Sequence, residues 1–353
     1  MPRRRFLRSC LQGASVPLAV PWALAGPVPA GAGAPPVHIY MITFRGETDV
    51  DKGFRAYLAE AGVAVRYTVR DLGQDVGRMA ALRREIRALA PDLIYVWGTP
   101  ATLALVGPFD APADSATPPY IHDIPVVFAL VAAPVRARIV ASERGHGRNV
   151  AGVVHVVPFD VQLRAMQRYR PLQRLGVLYN AAEANARAIV QEARQVCAQQ
   201  GVELLTLRLP TNAQGQPSAE HLAAHIAQLH GQGAQWLYLL PDTFVGTLYE
   251  RITPLANQLQ LPCFGAVELA VRTGGALLGL VSRYYAVGQL AGAKALEILQ
   301  GGHSPEQAGV QTLPRFALMV NMAAAHRLRM YPPMDMLNFA EIIAVGDTPA
   351  GAT

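Results

Sequence analysis

The sequence predicts an α/β protein built as two doubly wound lobes, each a parallel sheet covered by helices. Three observations carry that reading. Short apolar runs alternate with amphipathic stretches from Val37 onward. Several of those runs are apolar on both faces, as strands buried inside a parallel sheet must be. The alternation also runs through twice, with a break near residues 157–159, and 353 residues divide into about two domains on a soft prior of ~150 each.

In chain order, residues 37–42 (VHIYMI) read as the first strand. A helix follows with Val50, Phe54, Tyr57, Leu58 and Ala61 on one face, closed by Gly62. Residues 63–69 read as a strand, 75–90 as a helix turning Met79, Leu82, Ile86 and Leu89 inward, and 93–97 (LIYVW) as a buried strand. Thr99 and Pro100 read as the N-cap and first residue of a helix. A Pro/Ala/Asp-rich loop over 108–119 precedes a strand at 125–130.

The second round opens with a strand at 175–179. Asn180 and Glu183 resemble a capping box before a helix that ends near Gln200 and Gly201. Strands at 202–209, 236–240, 262–265, 276–281 and 316–320 are separated by helices at 218–230, 244–259 and 284–299. Asn321 is placed to cap a last short helix, and the tail from about Gly346 reads as frayed. Ligands of open α/β sheets bind outside the carboxyl ends of the strands, so two such lobes would face a small-molecule cleft.

Composition narrows the function. Hydrophobic residues make up 51% and charged residues 16%, which excludes a disordered chain. The net charge of +6 owes four of its charges to Arg3, Arg4, Arg5 and Arg8; without them Lys and Arg number 27 against 25 acids. A balance that close, with no basic run elsewhere, argues against a nucleic-acid partner. Residues 1–34 read as a leader and linker: a basic start, an apolar stretch over 11–24 and a small-x-small site at Ala23-Leu24-Ala25. Arg-Arg-x-Phe-Leu-Arg resembles the twin-arginine export signal, with a general secretory signal as the alternative, and cleavage near Ala25 would leave a periplasmic chain. No later run approaches the ~20 apolar residues a membrane helix needs. Cys197 and Cys263 read as two buried thiols, one on a helix and one opening a strand, or as a pair in an oxidising compartment.

Catalytic signatures are missing. The sequence has no Gly-x-Gly-x-x-Gly after its first strand, no Gly-x-x-x-x-Gly-Lys-Ser/Thr and no Gly-x-Ser-x-Gly. His221 and His225 share a helix face but have no third ligand, while His122, His146, His155 and His303 are scattered singly. No metal, no cofactor and no catalytic residue is expected.

Five blocks in order carry a resemblance: Asp92 to Thr102 (DLIYVWGTPAT), Asp123 to Ala129 (DIPVVFA), Gly147 to Val153 (GRNVAGV), Leu175 to Asn185 (LGVLYNAAEAN) and Tyr284 to Gly288 (YYAVG). Over residues 37–329 the chain resembles the ABC-transporter substrate-binding proteins of the tryptophan/tyrosine-binding type. The resemblance implies a type I periplasmic-binding-protein fold whose lobes are joined by a hinge of three crossovers. The lobes would be residues 35–157 with about 283–313, and 158–282 with about 314–345, leaving 346–353 as tail. It also implies no catalysis, a small-molecule ligand, membrane ABC permease subunits as partners and a monomer. Ligand sensing through a membrane receptor is the alternative on the same fold.

The family's Thr-Pro after the third strand matches Thr99 and Pro100, with Thr102 one turn on. Its Asn-Pro-x-Glu-x-Asn matches Asn180, Glu183 and Asn185, with Ala181 in place of proline. Its Pro-Thr-Asp-Asn aligns approximately with Leu240 to Thr243, which nominates Asp242 for a ligand ammonium and Thr243 beside it. Glu268, Phe44, Arg45 and Tyr284 complete the expected lining. Two departures bear on ligand charge. Val131-Ala132-Ala133 stands where the family often has Thr-Asp, and Arg283 stands where it often has Asp before Tyr-Tyr. Two acids lost and one base gained favour a carboxylate or neutral aromatic ligand, with Arg283 as a clamp.

Overall fold

The computed structural model describes residues 35–112, 119–212 and 216–343, so the leader and the final tail lie outside the described residues. The chain begins β1 (Val37–Thr43), α1 (Asp49–Glu60), β2 (Val65–Asp71), α2 (Met79–Leu89), β3 (Leu93–Trp97), α3 (Thr99–Val106), β4 (Val126–Val131) and β5 (Val150–Val154). It continues α4 (Phe159–Tyr169), β6 (Arg174–Tyr179), α5 (Ala184–Gln199), β7 (Glu203–Arg208), α6 (Leu222–Gly231), β8 (Trp236–Leu239), α7 (Tyr249–Gln258), β9 (Cys263–Gly265), α8 (Glu268–Arg272) and β10 (Leu278–Val281). The last elements are α9 (Tyr284–Leu299), α10 (Pro305–Ala308), β11 (Val310–Thr312), β12 (Ala317–Asn321), α11 (Met322–Leu328), α12 (Met334–Leu337) and β13 (Ala340–Ile343).

Two sheets result, ordered β11-β5-β4-β3-β1-β2 and β13-β12-β10-β9-β8-β6-β7. Each contains the doubly wound 2-1-3-4-5 order, so each has one switch point where neighbouring loops diverge. Pairing is parallel except between β10 and β12. Among the described residues the chain passes from one sheet to the other three times: after β5, between β10 and β11, and between β11 and β12. Aromatic side chains fill both interiors, with Tyr40, Tyr95, Phe54 and Phe128 in the first and Trp236, Tyr238 and Phe264 in the second.

The first and ninth helices pack without a gap because both faces carry glycine. A Cβ on Gly288 would overlap the Val50 carbonyl, and one on Gly53 would overlap the Tyr285 carbonyl. This contact ties α9, which follows the second crossing, to the first sheet.

Elements absent from the sequence reading have physical explanations. Strand β5 (VAGVV) carries Gly152 under the Phe128 ring, where any side chain would collide, so its local β signal is weak. Helix α4 shows Phe159, Leu163 and Met166 on its buried face, a helical spacing that the sequence reading treated as a lobe boundary. The helix expected over 244–259 is a 3-10 turn at Val245–Thr247 followed by α7. Asn321 does cap α11, accepting a hydrogen bond from the Ala324 amide at 3.0 Å. Cys197 and Cys263 are both buried free thiols, on α5 and at the start of β9.

Candidate functional site

The carboxyl ends of both sheets contribute to one cavity of about 50 Å³. The first sheet supplies Arg45 beyond β1, Trp97 to Thr99 at β3, Leu130 and Ala132 at β4, and His155 beyond β5. The second supplies Glu183 and Asn185 beyond β6, Asp242 and Thr243 beyond β8, and Val267 beyond β9. Tyr249 and Tyr284 close it.

The wall from the first sheet is cationic. The Arg45 guanidinium lies 4.9 Å from the centre of the Trp97 ring and makes no ion pair among the described residues. The Phe44 ring lies 6.0 Å from the Trp97 ring and 5° off its plane. The N-cap of α3 is Gly98 (φ 83°), not Thr99, because the chain enters the helix from a backbone conformation that only glycine takes without strain. Thr99 is instead the first helical residue, and its hydroxyl accepts a hydrogen bond from the Ala132 amide at 3.4 Å. Thr102 is fully buried and donates to the Gly98 carbonyl at 2.7 Å, so it steadies the turn without reaching the cavity. Leu130 takes φ 54°, a strained value for a bulky side chain, where the pairing of β4 with β5 slips.

The opposite wall is acidic. Asp242 is 3% exposed; one carboxylate oxygen accepts from the Asn180 amide at 2.7 Å and the other from the Phe244 and Val245 amides at 3.0 Å. Burial, together with the neighbouring Glu183, pushes its carboxyl up to about 8. Glu183 accepts from both the amide and the hydroxyl of Thr243, at 2.8 and 2.6 Å. That contact replaces the expected capping box: Asn180 accepts from the Ala182 amide at 3.0 Å and Glu183 sits at the N-cap of α5 without capping it. Asn185 donates to the Pro241 carbonyl at 2.9 Å.

Seven of the twelve residues expected at the site therefore line the cavity: Arg45, Thr99, Glu183, Asn185, Asp242, Thr243 and Tyr284. Asn180 and Phe44 line an adjoining groove that shares Glu183 and Thr243. Glu268 and Arg283 pair with each other at 3.1 Å, and both join Arg272 and Glu341. Arg283 is thereby neutralised and faces a separate groove beside Leu313 and Phe316; it does not reach the cavity, and Arg45 is the cation that does. Trp97, His155, Tyr249 and Leu130 were not singled out. Trp97 ends a buried strand directly before Gly98, a position that could have nominated it. His155 had no signal because the strand it follows was not recognised.

A family model for ABC transporter substrate binding proteins matches residues 41–342. The chain belongs to the ABC transporter substrate-binding protein family. This substrate-binding protein is similar to a conserved domain protein from Vibrio cholerae, at 22% identity and TM-score 0.74, covering 88% of this chain and 99% of that one. A Streptococcus pneumoniae ABC domain in complex with L-Trp gives 19% identity, TM-score 0.73, and coverage of 88% and 100%. A Rhodopseudomonas palustris solute-binding protein in complex with 3,4-dihydroxybenzoic acid gives 11% identity, TM-score 0.54, and coverage of 77% and 82%. At these identities the likeness is one of fold. A search of curated proteins gave no match. The family binds solutes and is not enzymatic, and no helix among the described residues of this substrate-binding protein is long and apolar enough to cross a membrane.

Proposed function

We propose that this chain is an exported solute-binding protein that captures one small molecule between its two lobes and delivers it to an ABC permease. The lobes are residues 35–157 with about 283–313, and 158–282 with about 314–345. The observation that carries the reading is a cavity lined from both sheets, with the Arg45 guanidinium on one wall and the Asp242 and Glu183 carboxyl groups on the other. Membership of the family and similarity to proteins that hold L-Trp and a dihydroxybenzoate support it. The ligand is amino-acid-like or an aromatic carboxylate. Its carboxylate meets Arg45, its flat part meets Trp97 and Tyr284, and any ammonium meets Asp242 and Glu183. The leader directs export to the periplasm, where the protein works as a monomer.

The test combines mass spectrometry of the co-purifying molecule with calorimetry of variants. Arg45→Ala is expected to weaken binding of a carboxylate solute by about 2–5 kcal/mol, the usual cost of removing one partner of a desolvated charge pair. Arg283→Ala is expected to bind within about threefold of the parent, since Glu268 and Glu341 already satisfy it. Normal binding by Arg45→Ala would overturn this placement of the ligand.

A further inference from the structure

Residues 44–48 join β1 to α1, and three of them bear on the Trp97 side chain in the cavity wall. Phe44 lies parallel to the indole, its ring 6.0 Å away. The Arg45 guanidinium lies over it, 4.9 Å from the ring centre. Thr48 meets its edge: the indole Nε1–H donates to the Thr48 hydroxyl at 3.3 Å. The loop is also pinned on either side of Arg45. The Thr43 hydroxyl and the Gly46 amide donate to Asp71 at 2.8 and 2.9 Å, and the Thr48 amide donates to Asp51 at 2.7 Å.

The direction of each bond follows from the groups involved. An indole N–H only donates, and a carboxylate only accepts. The Thr48 hydroxyl has one proton, and it goes at 2.7 Å to the same Asp51 oxygen that holds its amide. That leaves its lone pairs for Trp97. Asp51 is fully buried in the first turn of α1, so the chain of bonds ends on a fixed point. A role at the N-cap of α1 explains the bonds to Asp51. It does not explain the bond to Trp97, which lies 49 residues further along the chain. Arg45 gains from this support. It makes no ion pair among the described residues, and a guanidinium on a long stem loses rotamer freedom when a solute fixes it. A ring already held in place removes part of that cost before the solute arrives.

We infer that Thr48 is the positioning residue of the anion site: it holds the Trp97 indole by its N–H and, through that ring, the Arg45 guanidinium in the cavity wall. This rests on the solute-binding reading above and deepens it. Trp97 and Arg45 line the cavity and Thr48 stands behind them, so it acts on the solute only through those two side chains. Losing its hydroxyl therefore weakens a carboxylate solute and spares a neutral one of the same shape.

Calorimetry with two acids, L-tryptophan and 3,4-dihydroxybenzoate, and with the carboxamide of each, tests it. Thr48→Val keeps the shape of the side chain and removes the hydroxyl. It is expected to weaken the acid that the parent binds by about three- to tenfold, the worth of one internal hydrogen bond, and to leave the amide within about twofold. Thr48→Ser returns the hydroxyl and is expected to restore the affinity. In the Arg45→Ala background, Thr48→Val is expected to cost less than about twofold, because the group it positions is gone. A purely structural role at the start of α1 would weaken acid and amide alike and would add in full to Arg45→Ala. A thermal melt shows whether each variant is folded. Trp97→Phe removes the N–H, leaves the start of α1 intact, and takes the place of Thr48→Val in the same cycle if that variant is unfolded. The inference alone is overturned if Arg45→Ala weakens the acid and Thr48→Val does not, if acid and amide weaken alike, or if the two losses add. A parent that binds neither acid, or binds acid and amide equally, overturns it together with the placement of a carboxylate at Arg45.

Discussion

Asp242 concentrates the conflict between folding and binding in one side chain. Its carboxylate organises the loop after β8 by accepting three backbone amides, yet burial and Glu183 raise its pKa from 3.8 to about 8. The sign of the linkage follows. Between about pH 4 and pH 8 the folded protein holds a proton that the unfolded chain has released, so this group's contribution to stability is complete at acid pH and is lost as pH rises toward 8. Asp242→Asn should remove that slope. The amide oxygen can still accept from Phe244 and Val245, but its NH₂ then faces the Asn180 N–H, so the variant starts about 1–3 kcal/mol less stable near pH 5. Its deficit should shrink as pH approaches 8. Denaturant unfolding of both proteins across that range measures it, and a deficit that stays constant with pH would remove Asp242 as the source.

At the scale of elements, the contact between α1 and α9 is the most sharply specified feature, and it depends on atoms that are not there. Gly288 faces the Val50 carbonyl so closely that even a methyl group must push the helices apart. Gly288→Ala should cost about 3 kcal/mol or more, because overpacking at a backbone contact has no flexible side chain to yield. Gly62→Ala is the control. Gly62 has φ 73° and open space around it, so it should lose only the ~1–2 kcal/mol of a left-handed alanine. Equal losses in the two variants, read from unfolding midpoints, would refute the packing argument. The same pair explains what the sequence could tell. The periodic apolar face of α1 was visible from Val50, Phe54 and Leu58, and β3 and β4 from runs of residues apolar on both faces. The glycine-to-carbonyl contact was not visible, because glycine carries no periodic signal. Strand β5 was hidden for the same reason: Gly152 makes room for a ring that belongs to a strand some twenty residues earlier. At the site, positions after strand ends were legible because parallel sheets put loops there. The fate of each charge was not. Arg283 and Glu268 cancel each other across 15 residues, and Arg45 makes no ion pair among the described residues, an outcome set by three-dimensional neighbours alone.

The proposed capture of a solute requires the whole molecule to move. A free space of about 50 Å³ holds only a few water molecules at ~10–15 Å³ each, far less than a phenyl-sized carboxylate needs. The walls belong to different sheets, and among the described residues the chain crosses between those sheets three times. A solute that touches Arg45 on one wall and Asp242 or Glu183 on the other would supply contacts that exist only when the walls are together. A ligand shifts a two-state equilibrium by its differential affinity for the two states, and a solute that spans both walls favours the closed one. The free protein should therefore populate an open form from which the closed one is drawn by solute. Small-angle scattering of ligand-stripped protein should give a larger radius of gyration than the same sample saturated with a bound carboxylate. Arg45→Ala, which loses the anchor on one wall, should need much more solute to reach the smaller value. A radius unchanged at saturation would mean that the solute enters a rigid molecule, and the closing of two lobes would have to be given up.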